Sequence, residues 1–120
     1  MHIDFKALTI DLTPEIRSYA TSKVEMLTKL LQNVDEENIQ FEVALERNQS
    51  QKTGEVFRAD ITVHAGGEKT HAVGHGETVE AAIDEAKDEL TRRLRRGKGK
   101  RLAALREGGA RIKKMMRFWE

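Results

Sequence analysis

Two runs of alternating side chains meet at Gly66-Gly67, and this junction constrains the fold more than any other feature of the sequence. Before it, Phe57, Ala59, Ile61, Val63 and Ala65 alternate with Arg58, Asp60, Thr62 and His64. A period of two is that of a half-buried strand, and a glycine pair supplies the positive φ of a two-residue hairpin turn. Folding about that turn pairs Val63 with Thr70, Ile61 with Ala72 and Ala59 with Gly74. The inward side of the fourth strand is therefore small, which lets a helix approach closely.

Upstream, Ile3 and Phe5 alternate with His2, Asp4 and Lys6, a short first strand. Thr13-Pro14-Glu15 then opens a helix. The hydroxyl caps free amides, proline suits the first helical position, and the acid complements the positive end. Ile16, Ala20, Val24, Leu27 and Leu31 recur at helical spacing, and Asn33 with Asp35-Glu36-Glu37-Asn38 ends the helix. Ile39, Phe41, Val43 and Leu45 alternate with polar and small residues as a second strand, and Asn48 to Gly54 turn the chain. After the hairpin, Thr78 caps a second helix with the apolar stripe Val79, Ala82, Ile83, Ala86, Leu90 and Leu94.

The order is βαβββα. A right-handed crossover makes strands one and two parallel and leaves the other pairs antiparallel. The expectation is an α+β two-layer sandwich, with a four-stranded sheet and both helices on one face. A chain of 120 residues has room for one such domain. Residues 1–96 are expected to form it and residues 97–120 a basic, partly helical tail. Gly97-Lys98-Gly99-Lys100 should break or loosen the second helix, Leu102-Ala103-Ala104-Leu105 resume it, and Gly108-Gly109 break it again.

Charge is distributed as unevenly as hydropathy. The net charge of +1 averages residues 1–91, with 9 basic and 18 acidic side chains, and residues 92–120, with 12 basic and 2 acidic. One end is thus about as cationic as the rest is anionic, the pattern of a polyanion-binding terminus. Arg92, Arg93, Arg95, Arg96, Lys98, Lys100 and Arg101 fall within ten residues that contain no acid. On a helix they occupy most of the circumference outside the buried stripe. Cations at a helix C-terminus also answer the dipole, but this run exceeds what dipole matching needs. Guanidinium and ammonium groups suit phosphate, so Lys87, these seven residues, Arg111, Lys113 and Lys114 are candidate RNA contacts. Nothing in the run reads base sequence, so phosphate and shape recognition are expected. On the first helix, Arg17, Lys23 and Lys29 are six apart and do not form one stripe.

Other chemistries find little support. Zero cysteines exclude disulfides, thiolate catalysis and cysteine-ligated metal centres. His71 and His75 share a strand face but stand roughly 13 Å apart along it, too far for one ion. His64 lies diagonally from His71, and Arg58 opposite His75 adds positive charge where a cation would bind. No nucleophile or carboxylate constellation accompanies the rings, so no enzyme, metal or cofactor is expected. An exposed sheet face that partly contacts RNA or a protein partner suits them better. The glycine pairs match no Walker or dinucleotide fingerprint. Phe118 and Trp119 can stack on bases or cover an apolar patch, with a membrane-surface or dimer contact as a third reading. No apolar run approaches a membrane span, and the first residues lack a secretory signal, so a cytoplasmic protein with no membrane or small-molecule partner is expected.

Ala65-Gly66-Gly67-Glu68, His71-Ala72, Ala81-Ala82-Ile83-Asp84 and Leu90-Thr91-Arg92-Arg93-Leu94, in this order and spacing, resemble the ribosome hibernation promoting factor and ribosome-associated inhibitor A family. The resemblance covers about residues 1–100 and includes Arg17 and Lys23, which it alone adds to the RNA-contacting candidates. It implies a βαβββα domain of a bacterial stress response, of the short form. Such a domain binds the small ribosomal subunit, through ribosomal RNA, in the channel used by messenger and transfer RNA, and holds idle ribosomes inactive. Glu80 stands where the family usually has an aromatic, Thr78-Val79 for Asp-Met, Glu89 where lysine is common, and Met26 for a helix-one lysine. A general RNA-binding module or ribosome-assembly component, without tRNA competition, is the alternative.

Overall fold

The computed structural model describes residues 1–31, 34–50 and 52–106, with side chains through residue 96. Strands β1 (His2–Leu8), β2 (Gln40–Arg47), β3 (Phe57–Ala65) and β4 (Glu68–Gly76) form one sheet in the order β1-β2-β3-β4. Helix α1 (Pro14–Glu25) joins β1 to β2, and α2 (Val79–Arg106) follows β4. β1 and β2 are parallel, and the other two pairs are antiparallel, as a single crossover through α1 requires. The hairpin register is the expected one, with Val63 opposite Thr70, Ile61 opposite Ala72 and Ala59 opposite Gly74. Gly66 and Gly67 have φ of 60° and 78°, the left-handed values a two-residue turn demands.

One face of the sheet carries the core. Phe41, Val43 and Leu45 of β2 and Ala59, Ile61 and Val63 of β3 pack against Ala20 and Val24 of α1 and Ala82, Ile83, Ala86 and Leu90 of α2. Gly74 is what brings α2 so near. A Cβ built there would stand 2.3 Å from the Ala82 carbonyl oxygen and 2.3 Å from the Ala86 nitrogen. Gly76 faces the same helix, with a hypothetical Cβ 2.6 Å from the Ala82 nitrogen. The opposite face is largely solvated, although Thr62 at its centre is covered, flanked across the sheet by Glu42 and His71.

Both helices begin where the caps were expected. The Thr13 hydroxyl accepts from the Ile16 N–H at 3.2 Å, and the Thr78 hydroxyl from the Ala81 N–H at 3.0 Å. Two boundaries differ from expectation. The first apolar stripe does not stay α-helical to Leu31, because the chain tightens into a 3₁₀ segment over Met26–Leu30. That tighter winding still buries Leu27 but leaves Met26 exposed, and it is a common way for a helix to end. Asn33 lies outside the described residues. The second helix, expected to break or loosen at Gly97–Lys100, does not break and runs to Arg106. Two glycines cost a helix about 1 kcal/mol each, less than ending it requires when good helix formers lie on both sides. Gly108-Gly109, Phe118 and Trp119 lie outside the described residues.

Candidate nucleic-acid interface

Helix α2 is 28 residues long, or about 42 Å at the standard rise, and Leu94 is the last described side chain on it that packs against the core. The helix therefore outlasts the sandwich, and its basic residues begin where burial ends. Arg92, Arg93, Arg95 and Arg96 are all exposed. Lys98, Lys100 and Arg101 continue on the helical backbone, their side chains outside the described part. Arg111, Lys113 and Lys114 lie outside the described residues altogether.

The arginines are not equivalent. Glu89 lies three, four and seven residues before Arg92, Arg93 and Arg96, so the four share one stripe of the helix. The Arg92 guanidinium donates through Nε and Nη2 to Glu89 Oε2 at 3.0 and 2.8 Å. Arg93 Nε donates to Glu89 Oε1 at 3.1 Å, and Arg96 Nη2 stands 3.6 Å from that oxygen. The Arg92 and Arg93 hydrogen bonds hold the Glu89 carboxyl below the usual carboxylate range. Arg93 is occupied a second time, donating from Nη1 to the His71 carbonyl at 2.5 Å. One turn before Glu89, Glu85 accepts from the His75 N–H at 3.3 Å. These two contacts cover the open edge of β4, where bare backbone groups would otherwise invite another strand. Arg95 has no ion-pair partner among the described residues and is the most available cation of the set.

The first-helix candidates sit elsewhere. Arg17 lies over the Phe5 ring, 4.9 Å from its centroid, at the β1 side of the layer. Lys23 is tied to α2, with Nζ 3.4 Å from Asp84 Oδ1, the oxygen that also accepts the Tyr19 hydroxyl at 2.6 Å. Hydrogen bonding to Asp84 is the main reason both Tyr19 and Lys23 titrate above their ordinary values. Lys87 pairs with Asp88 at 3.6 Å, and its side chain is mostly covered. Thus Arg92, Arg93, Arg95 and Arg96 are gathered at one end, whereas Arg17, exposed over Phe5, and Lys23, paired with Asp84, lie apart from them. The charge run marked the surface but not its internal partners. Glu89 was legible only as spacing, a carboxylate three and four residues before arginines, whereas Asp84, which pairs across the helices, was not.

On the solvated sheet face, His64 stands 3.6 Å from Glu42 and His71 3.9 Å from Asp60. Arg58 donates to Asp60 at 2.9 Å and lies opposite His75, as the register expectation required. Among the described residues no three His, Asp or Glu side chains are grouped to hold a metal ion, and no helix is long and apolar enough to cross a membrane.

Known proteins share this fold. The family model described as sigma 54 modulation protein / S30EA ribosomal protein matches residues 3–102. A ribosome hibernation promoting factor of Klebsiella oxytoca is 27% identical over 100 residues, covering 83% of this chain and 96% of its own. The crystal structure of the Thermus thermophilus Protein Y N-terminal domain superposes with a TM-score of 0.67 at 25% identity, covering 80% of this chain and 98% of that one. A ribosomal subunit interface protein from Coxiella burnetii has the same fold, with a TM-score of 0.62 at 18% identity over 82% of this chain and 99% of that one.

Proposed function

The chain belongs to the sigma 54 modulation protein / S30EA ribosomal protein family, and from that membership we propose that it is a ribosome hibernation factor acting by occupancy rather than catalysis. It docks on the small ribosomal subunit in the cytoplasm and excludes messenger and transfer RNA from their shared channel. The observation that carries this reading is the charge polarity of the fold. An acidic sandwich with a net of −9 over residues 1–91 ends in a helix whose exposed arginines lead a segment with a net of +10. Such a molecule approaches a polyanion in one orientation, with the end of α2 first. Arg92, Arg95 and Arg96 supply phosphate contacts, and Lys98, Lys100 and Arg101 extend them along the helix. Arg111, Lys113 and Lys114 continue the basic segment of residues 97–120, beyond the 1–96 body. Arg17, Lys23 and Lys87 act at the flank, where their ion pairs and ring contacts leave them less charge to offer.

Sedimentation with small subunits at increasing salt tests the surface. Binding should weaken steeply with salt, by about 0.7–0.9 in log K per log salt for each phosphate contacted. Replacing Arg92, Arg95 and Arg96 together with alanine should abolish retention at physiological salt. Retention unchanged by that replacement overturns the assigned surface. A general RNA-binding module is the competing reading, and it predicts equal affinity for free RNA and no competition with tRNA.

A further inference from the structure

Glu89 is the feature that the proposed docking surface does not explain. Its carboxylate is embedded in the cationic end, 2.8 Å from Arg92, 3.1 Å from Arg93 and 3.6 Å from Arg96. A carboxylate offers guanidinium a pair of acceptor oxygens for bidentate contact, as a phosphate does. We propose that Glu89 is a specificity-determining residue that competes with incoming phosphate for these arginines, so that the basic end of α2 binds RNA firmly only where several phosphates arrive together.

The donor inventory supports this. Each guanidinium has five N–H donors. Arg92 commits Nε and Nη2 to Glu89, which leaves Nη1 turned to other acceptors. Arg93 commits Nε to Glu89 and Nη1 to the His71 carbonyl, so it serves mainly to clasp the helix to the β4 edge. Arg96 touches Glu89 only with Nη2 and is largely open to solvent. A single phosphate gains little from these groups, because it must exchange one anion for another beside a fixed negative charge. A surface with phosphates in array can use the uncommitted donors of Arg92 and Arg96 together with Arg95 and leave the Glu89 contacts in place. The acid thus lowers the affinity of the helix for short or disordered RNA more than its affinity for a folded RNA surface.

The inference rests on the proposed docking function, and its test separates the two. Glu89→Gln keeps the shape and removes the charge. Glu80→Gln makes the same change in net charge at the exposed start of α2, far from the arginines. Each protein is titrated into a short single-stranded RNA of mixed sequence and, separately, into small ribosomal subunits, across a series of salt concentrations. Glu89→Gln should bind the short RNA about 5- to 10-fold more tightly at low salt, with a salt slope steeper by about 0.7, one additional phosphate contact on a single strand. Its affinity for small subunits should change less than 3-fold, and Glu80→Gln should match the wild type on both. Unchanged or weaker short-RNA binding by Glu89→Gln would overturn the inference, because Glu89 would then be orienting the arginines. Equal tightening by Glu80→Gln would overturn it too, because net charge alone would suffice. If no protein in the series binds small subunits, the docking function fails, while the short-RNA titration still decides the role of Glu89.

Discussion

At Gly74 a single hydrogen sets the distance between the second helix and the sheet. Any larger side chain meets the α2 backbone at 2.3 Å, and backbone cannot rotate aside as a side chain can. Gly74→Ala should therefore destabilise the protein by about 3 kcal/mol in urea unfolding, the upper part of the range for overpacking. Gly67→Ala is the contrasting case. Its φ is +78° but nothing lies within 4 Å of the new methyl, so a loss of about 1 kcal/mol is expected. Equal losses at the two sites would contradict the packing account. The small inward side of β4 was readable from the hairpin register, because pairing about Gly66-Gly67 placed Gly74 opposite Ala59. The Tyr19–Asp84–Lys23 group was not readable, since 61 residues separate Lys23 from Asp84 and only the crossed helices bring them together. Tyr19 and Lys23 both titrate above their ordinary values of about 10. Their contribution to stability is therefore complete below those ordinary values and is lost as pH rises through the raised ones. Melting temperatures measured from neutral to strongly alkaline pH should fall more steeply for the wild type than for Asp84→Asn. Tyr19→Phe should cost about 1 kcal/mol at neutral pH, the worth of one hydrogen bond.

At the scale of elements, the four strands and two helices follow from period, caps and turn chemistry, and their order left one economical topology. Cross-strand partners were legible for the same reason, because a one-residue slip would turn every apolar side chain of β3 outward. The length of α2 was not. Gly97 and Gly99 look like punctuation in a linear sequence, yet a helix already nucleated and held by its packed first half passes through them. This continuity has a measurable consequence. Changing Gly97 and Gly99 to alanine should raise helix content by far-UV circular dichroism and preserve RNA binding. Gly99→Pro should end the helix near that residue at a local cost of about 3 kcal/mol. Because proline also disorders the direction of Lys100 and Arg101, binding to small subunits should weaken at least 5-fold. Binding as tight as that of the wild type would show that these residues do not need a helix to act. The stripe on the β4 flank of α2 also has two uses that a charge count cannot distinguish. Glu85 and Arg93 cover the sheet edge, whereas Arg92 and Arg96 face outward.

At the scale of the whole molecule, the near-zero net charge conceals a dipole between an acidic sandwich and a basic helix end. Sandwich carboxylates such as Glu42, Asp60, Glu85 and Asp88 discourage contact with RNA over most of the surface, which makes the proposed binding directional. Family membership and the shared fold identify the kind of partner, and in the proposed docking the helix end is the side presented to it. If occupancy of the small subunit excludes tRNA, the protein displaces tRNA already bound there. Labelled tRNA held on small subunits with messenger RNA should be released as the protein is added, with release complete near one protein per subunit. The Arg92/Arg95/Arg96→Ala variant should release none at the same concentrations. Subunits that hold the protein and the tRNA together at saturation would contradict the account.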